Sequence, residues 1–189
     1  MDPLTAHEKA LAEFDSRVNV IKHEQWGART ACARWTVRDL LNHLVYEQLW
    51  VPHLLDGASV AEIGDRFEGN RLGDDPKHAW RDASTAARAA WVRPGALDRR
   101  VLLSRGATPA VDYLWEMTVD LAVHAWDLAV GIDGERTIDA ELAAELLARV
   151  EPVVPRWQGM GIFDPPVPIA DDASTQDKLL ALLGRDPAR

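Results

Sequence analysis

The stretch VDLAVHAWDLAVG, residues 119–131, sets Asp120 and His124 four positions apart in a run that is otherwise almost wholly apolar. Residues four apart on a helix are neighbours, so this carboxylate and imidazole can converge on one point. Divalent metals use such a pair, and the wet face of any acidic helix can also produce one. A second histidine, His43, lies in DLLNHLVYEQLW, 39–50, with Glu47 one turn further on. Both flank an apolar side made of Val37, Leu40, Leu41, Leu44, Val51 and Leu54, where polar groups need partners. A lone histidine there is more often a hydrogen-bonded core residue than a ligand. Taken together, His43, Asp120 and His124 form a set of two imidazoles and one carboxylate. Three such ligands leave positions open on zinc, iron or nickel, which a catalytic site needs and a structural zinc site lacks.

Two helices have to bring these residues together. Thr36 and Asp39 stand in capping-box spacing, with Trp35 placed to staple onto Leu40, so a helix is expected from Val37 to about Leu55. Pro52 falls late in it and predicts a kink or an early end. A second long helix is expected from about Pro109 to Val130, closed by Gly131 as a left-handed cap. Projected at ~100° per residue, Asp112, Glu116, Asp120, His124 and Asp127 share one sector of it. Asp120 and His124 lie at the border of that sector with the apolar side, not at its centre.

Helical spacing also marks 3–22, 74–93 and 139–150, while 99–109 reads as extended. Ser174 and Asp177 cap a last helix, and Gly184 stops it. Between them, 151–174 holds five prolines, a long loop suited to a lid or a packed strap. The expected architecture is a single all-α domain over 1–189, a four-helix bundle with added short helices and a long Pro-rich loop. Eight tryptophans against three phenylalanines and two tyrosines are read as core packing.

The formal net charge is −9 and no basic cluster stands out, which argues against nucleic acid and against an anionic membrane surface. No apolar run approaches the ~20 residues of a membrane span. The start, MDPLTAHEKA, lacks the pattern of a signal peptide. Cys32 is the one cysteine, so there is neither an intrachain disulfide nor a cysteine zinc cage. A soluble cytoplasmic protein is expected.

TACARWTVRDLLNHLV (30–45), VDLAVHAWDLAVG and the terminal DKLLALLGRDP, in that order, resemble the DinB-like metal-binding superfamily. The likeness is to its actinobacterial branch, related to the metal-binding domain of mycothiol-dependent maleylpyruvate isomerase. The resemblance implies the DinB-type four-helix bundle, with His43 as one metal ligand and Asp120 and His124 as the other two. It further implies a divalent ion (zinc first, with nickel or iron as alternatives) and mycothiol as thiol cosubstrate. A metal-bound thiolate would then attack an electrophile, in a transferase or isomerase reaction between a small-molecule thiol and an electrophilic substrate. Members occur as monomers and dimers, so a homodimer is within the range of the fold. Two departures matter. The carboxylate is Asp120 where the isomerase usually has glutamate, and the chain ends before the isomerase's second domain, so activity on maleylpyruvate is not carried over.

Glu47 and Asp127 are candidates for orienting the ligands from behind. Glu47 serves equally well as an exposed acid, and Asp127 as a helix cap or a buried hydrogen bond to another helix. Cys32 is either a thiol activated by a helix N-terminus or a small buried filler. Arg34 and Arg38 suit an acidic ligand or plain solvent. Beside the thiol enzyme stand a non-enzymatic metal-binding or partner-binding protein and a metal-assisted hydrolase.

Overall fold

The computed structural model describes residues 1–32, 35–159 and 163–188, with Arg156 and Gln158 described by their backbone alone. Helix α1 spans Pro3–Val20, its start fixed by Asp2, whose carboxylate accepts from the Thr5 amide at 2.9 Å. Helix α2 spans Val37–Leu55, and the capping box sets its start. Thr36 Oγ1 accepts from the Asp39 amide at 3.2 Å, and Asp39 Oδ2 accepts from the Thr36 amide at 2.9 Å. Both donors would otherwise be orphaned at the helix start. Pro52 falls in the last turn, and the helix continues past it to Leu55. There the missing N–H removes a single bond.

After the short α3 (Val60–Ile63) comes α4, Pro76–Trp91, capped by Asp75. The extended stretch is an antiparallel hairpin, β1 (Arg100–Leu103) with β2 (Gly106–Pro109), Val101 opposite Thr108. It leads directly into α5, Ala110–Ile132. Then follow α6 (Ala140–Val150), α7 (Val154–Gly159) and α8 (Thr175–Leu182). The Pro-rich segment is therefore not one continuous loop. Its first part folds as α7, and 163–174 runs on without a helix, tied to α8 by Val167 donating to Ala181 O at 2.9 Å.

The fold is mostly helical. Helix α1 lies along α5 and α2 along α4, while α2 also meets α5 and α1 meets α4. Phe14 and Trp80 pack ring to ring at 4.7 Å between α1 and α4, and Trp80, Trp91 and Trp126 are fully buried, as core tryptophans should be. No helix among the described residues is long and apolar enough to cross a membrane.

The end of α5 differs from the expectation. Gly131 is not the left-handed cap; the helix runs to Ile132, and Asp133 takes the positive φ of 54°. A β-carbon on Gly131 would lie 3.0 Å from Val37 Cγ2, 3.1 Å from Thr30 Cγ2 and 3.3 Å from Arg29 O. Glycine at this point lets the start of α2 close onto the end of α5. That close approach helps set His43 opposite Asp120.

Thr118 and His7 link α5 to α1. Thr118 Oγ1 commits its own proton to Leu114 O at 2.7 Å, so the Nδ1–H of neutral His7 donates to it at 3.3 Å. Nε2 of His7 is buried with no partner, and burial pushes the imidazole down from 6.5 to about 4. The unfolded chain protonates His7 near 6.5 and the folded chain only near 4. Stability from this residue is thus full above the upper value and is lost as pH falls between the two. Urea denaturation at pH 7 and pH 5 should show the wild type losing about 2 kcal/mol more than His7→Leu. Equal losses would mean that His7 is protonated as readily in the fold as outside it.

A candidate metal centre between α2 and α5

Helix α2 presents His43, and α5 presents Asp120 and His124 one turn apart. Their side chains meet: the donor atoms of the three all lie within 4.8 Å of one another. His43 Nε2 is 3.4 Å from Asp120 Oδ2, and His124 Nε2 is 3.4 Å from Asp120 Oδ1. Those separations are long for a direct hydrogen bond. Asp120 Oδ2 is buried and no donor satisfies it. Such an orphan is costly unless something charged shares the space. Burial would push the Asp120 carboxyl up, but the flanking imidazoles of His43 and His124 hold it well below the usual range.

His124 is buried, and its far nitrogen, Nδ1, is 2.8 Å from Asp127 Oδ2. Burial opposes its charge, yet Asp120 and Asp127 on either side raise its pKa from 6.5 to about 9. With Nδ1–H donating to Asp127, Nε2 is the nitrogen that faces Asp120 and His43. Asp127 is itself fully buried and accepts from Arg185, Nη2 to Oδ2 at 2.8 Å and Nε to Oδ1 at 3.3 Å. Such carboxylate partners behind a histidine fix its tautomer and ring orientation.

Arg185 explains the GRDP end of the chain. Gly184 has a φ of 78°, and a β-carbon there would lie 2.7 Å from Asp164 O. Only glycine fits a left-handed turn so close to another backbone. The turn closes as the Arg185 amide donates to Leu180 O at 2.9 Å, and it sends the guanidinium back onto Asp127. Nothing in the spacing of the sequence joins residue 185 to residue 127; the recurrence of the motif was the available signal.

Trp35, which packs against the core cluster containing Leu40, also borders the site. Its ring stands 4.6 Å from the ring of His43 and 5.4 Å from that of His124, a wall across both imidazoles. Glu47 Oε1 is 4.0 Å from His43 Nδ1, beyond hydrogen-bonding distance. Burial, with the charge of Asp120 added, pushes its carboxyl up to about 7 against the pull of the two imidazoles. Arg38 is tied to Gly73 O at 2.9 Å on the surface. Arg34 lies outside the described residues. Cys32 is half-buried.

Residues 7–129 match the sequence profile of the mycothiol maleylpyruvate isomerase N-terminal domain, a span that contains His43, Asp120 and His124. Two uncharacterized proteins, from two strains of Mycobacterium tuberculosis, are each 32% identical over 191 residues, covering 98% of this chain and 98% of their own. Crystal structures of the mycothiol-dependent maleylpyruvate isomerase and of a histidine-to-alanine mutant superpose with TM-scores of 0.63 and 0.64. They share 19% and 18% identity with this chain, over 84% of it and 71% of theirs, so that likeness is one of fold, the DinB-like helical fold. With the profile covering most of its length, this chain belongs to the mycothiol maleylpyruvate isomerase N-terminal domain family.

Proposed function

We propose that this chain binds one divalent metal ion through His43, Asp120 and His124 and uses it to prepare a small-molecule thiol, mycothiol, for attack on an electrophile. The observation that carries the reading is the convergence of three donor atoms within 4.8 Å around a buried carboxylate oxygen that no hydrogen bond satisfies. The donor set of two imidazoles and one carboxylate suits zinc, nickel or iron and leaves coordination positions open. An ion held there would supply Lewis acidity, lowering the pKa of a thiol at an open position into the neutral range.

The residues around the set have separate tasks. Asp127 holds the proton of His124 at Nδ1 and so keeps Nε2 turned to the site. His124 and Arg185 together keep Asp127 charged in a place where burial alone would neutralise it. Trp35 keeps water off one side of both imidazoles. A thiol-dependent reaction of this kind belongs in the reducing cytoplasm. Turnover that requires the thiol separates this reading from metal-assisted hydrolysis and from binding without catalysis.

The metal assignment is checked by purifying the untagged protein without chelator and measuring its metal content by mass spectrometry. About one ion per chain is expected in the wild type and in His53→Ala, whose ring stacks on Phe67 away from the set. None is expected in His43→Ala or His124→Ala. Equal loss in all three variants, or an empty wild type after addition of zinc, nickel and iron(II), overturns the assignment.

A further inference from the structure

We propose that the cleft between the hairpin, α5, α6 and α7 binds an apolar monocarboxylate. This rests on the function proposed above in one respect only, namely that the ligand is then the electrophilic partner of the thiol. The cleft has a volume of about 640 Å³, within the range of small-molecule sites. Its walls are Trp115 and Val119 of α5, Val150 of α6, Val153, and Trp157 of α7. Two indoles and three valines favour an aromatic or branched apolar body.

One cation in this cleft keeps part of its donor set turned outward. The guanidinium of Arg149 lies 3.6 Å above the centre of the Trp115 ring. Its Nε donates to Glu145 Oε1 at 2.7 Å, and the other oxygen of Glu145 takes the ammonium of Met1 at 2.8 Å. The guanidinium is thus held as a flat plate by its face and by one edge. Among the described residues nothing takes its two Nη groups. Arg105, the other guanidinium on the cleft, is already neutralised by both oxygens of Glu116, at 2.6 and 2.7 Å. A fixed fork of N–H donors beside apolar walls is matched by one carboxylate. The carboxylate of Asp112, which also lines the cleft, repels a second negative charge. The cleft therefore selects a monoacid over a diacid.

The location gives the cleft its use. Glu116 and Val119 line it, and Asp120 follows on the same helix, about 6 Å of rise beyond Glu116. The cleft thus borders the α5 face that carries Asp120.

The test titrates 2-naphthoate into the metal-free protein by calorimetry, with uncharged 2-naphthalenemethanol as the comparison. One site for 2-naphthoate is expected in the wild type. Arg149→Met should weaken it by about tenfold or more and leave the alcohol unchanged. Should that variant not fold, Arg149→Lys, which keeps the charge and loses the fork, is expected to weaken 2-naphthoate by about threefold or more. Val153→Trp, which plugs the cleft from its rim, should abolish binding of both probes. Because the titration uses the metal-free protein, failure of the metal centre and failure of the cleft are told apart. No binding at millimolar 2-naphthoate, or equal affinity in the wild type and the Arg149 variant, overturns the proposal.

Discussion

Replacing Asp127 by alanine is expected to destabilise the fold by about 3–5 kcal/mol, the usual result of removing one partner from a buried ion pair. Asp127 is fully buried, and its two oxygens receive three hydrogen bonds, one from His124 and two from Arg185. Without it, the Arg185 guanidinium stays buried with Leu183 O, at 2.8 Å from Nη1, and the face of Phe163 as company. The cost lies in that stranded charge more than in the lost bonds. Removing both charges should therefore be milder: Asp127→Leu with Arg185→Met is expected to recover much of the loss. Urea denaturation of the two single variants and the double variant measures the coupling. A loss below about 1 kcal/mol for Asp127→Ala would show that the pair is solvated in solution and carries little. Asp127→Asn keeps the shape and one acceptor but leaves the Arg185 charge unpaired, so it should recover only part of the stability lost in Asp127→Ala and should weaken metal binding about 10–100-fold.

This residue also shows what was legible in the sequence. The boundaries of α2 were legible because a capping box is a local device: Thr36 and Asp39 meet across three residues whatever the rest of the chain does. The placing of Asp120 and His124 on one edge of α5 was legible for the same reason, since helical periodicity is local. Their meeting with His43 is not a local fact. It depends on α2 and α5 closing together, and the family motif was the signal for it. Asp127 could be suspected of standing behind a ligand, but its partner Arg185 comes from a turn 58 residues away that Gly184 and Asp164 shape between them. Gly131 reads as a helix stop from its type alone. Its actual use, a close crossing with Val37, is a tertiary demand that no pattern within α5 contains. Trp35 is placed at a stapling position by its spacing and against two imidazoles by the fold.

The metal-free chain should lose about 3 kcal/mol of stability as pH rises from 6.5 to 9, most of it traceable to His124 and a smaller share to the raised carboxyl of Glu47. Between Asp120 and Asp127 this imidazole holds its second proton up to about 9, against 6.5 in the unfolded chain. The folded state therefore binds the proton more tightly. Its contribution is fully present below 6.5 and disappears as pH passes through the folded value. His124→Ala should remove most of this slope, and urea denaturation across the interval checks it. The same proton governs the metal. The one on Nδ1 remains with Asp127, whereas the one on Nε2 occupies the position that a metal would take. Metal affinity measured against a competing chelator should thus climb about tenfold per pH unit across the same window and level off above 9. Addition of saturating zinc should flatten the stability slope, because the zinc-bound fold and the unfolded chain then carry the same number of protons on His124 across this window. A flat affinity profile between 6.5 and 9 would mean that His124 is already neutral at the lower pH and that the two carboxylates do not hold its charge.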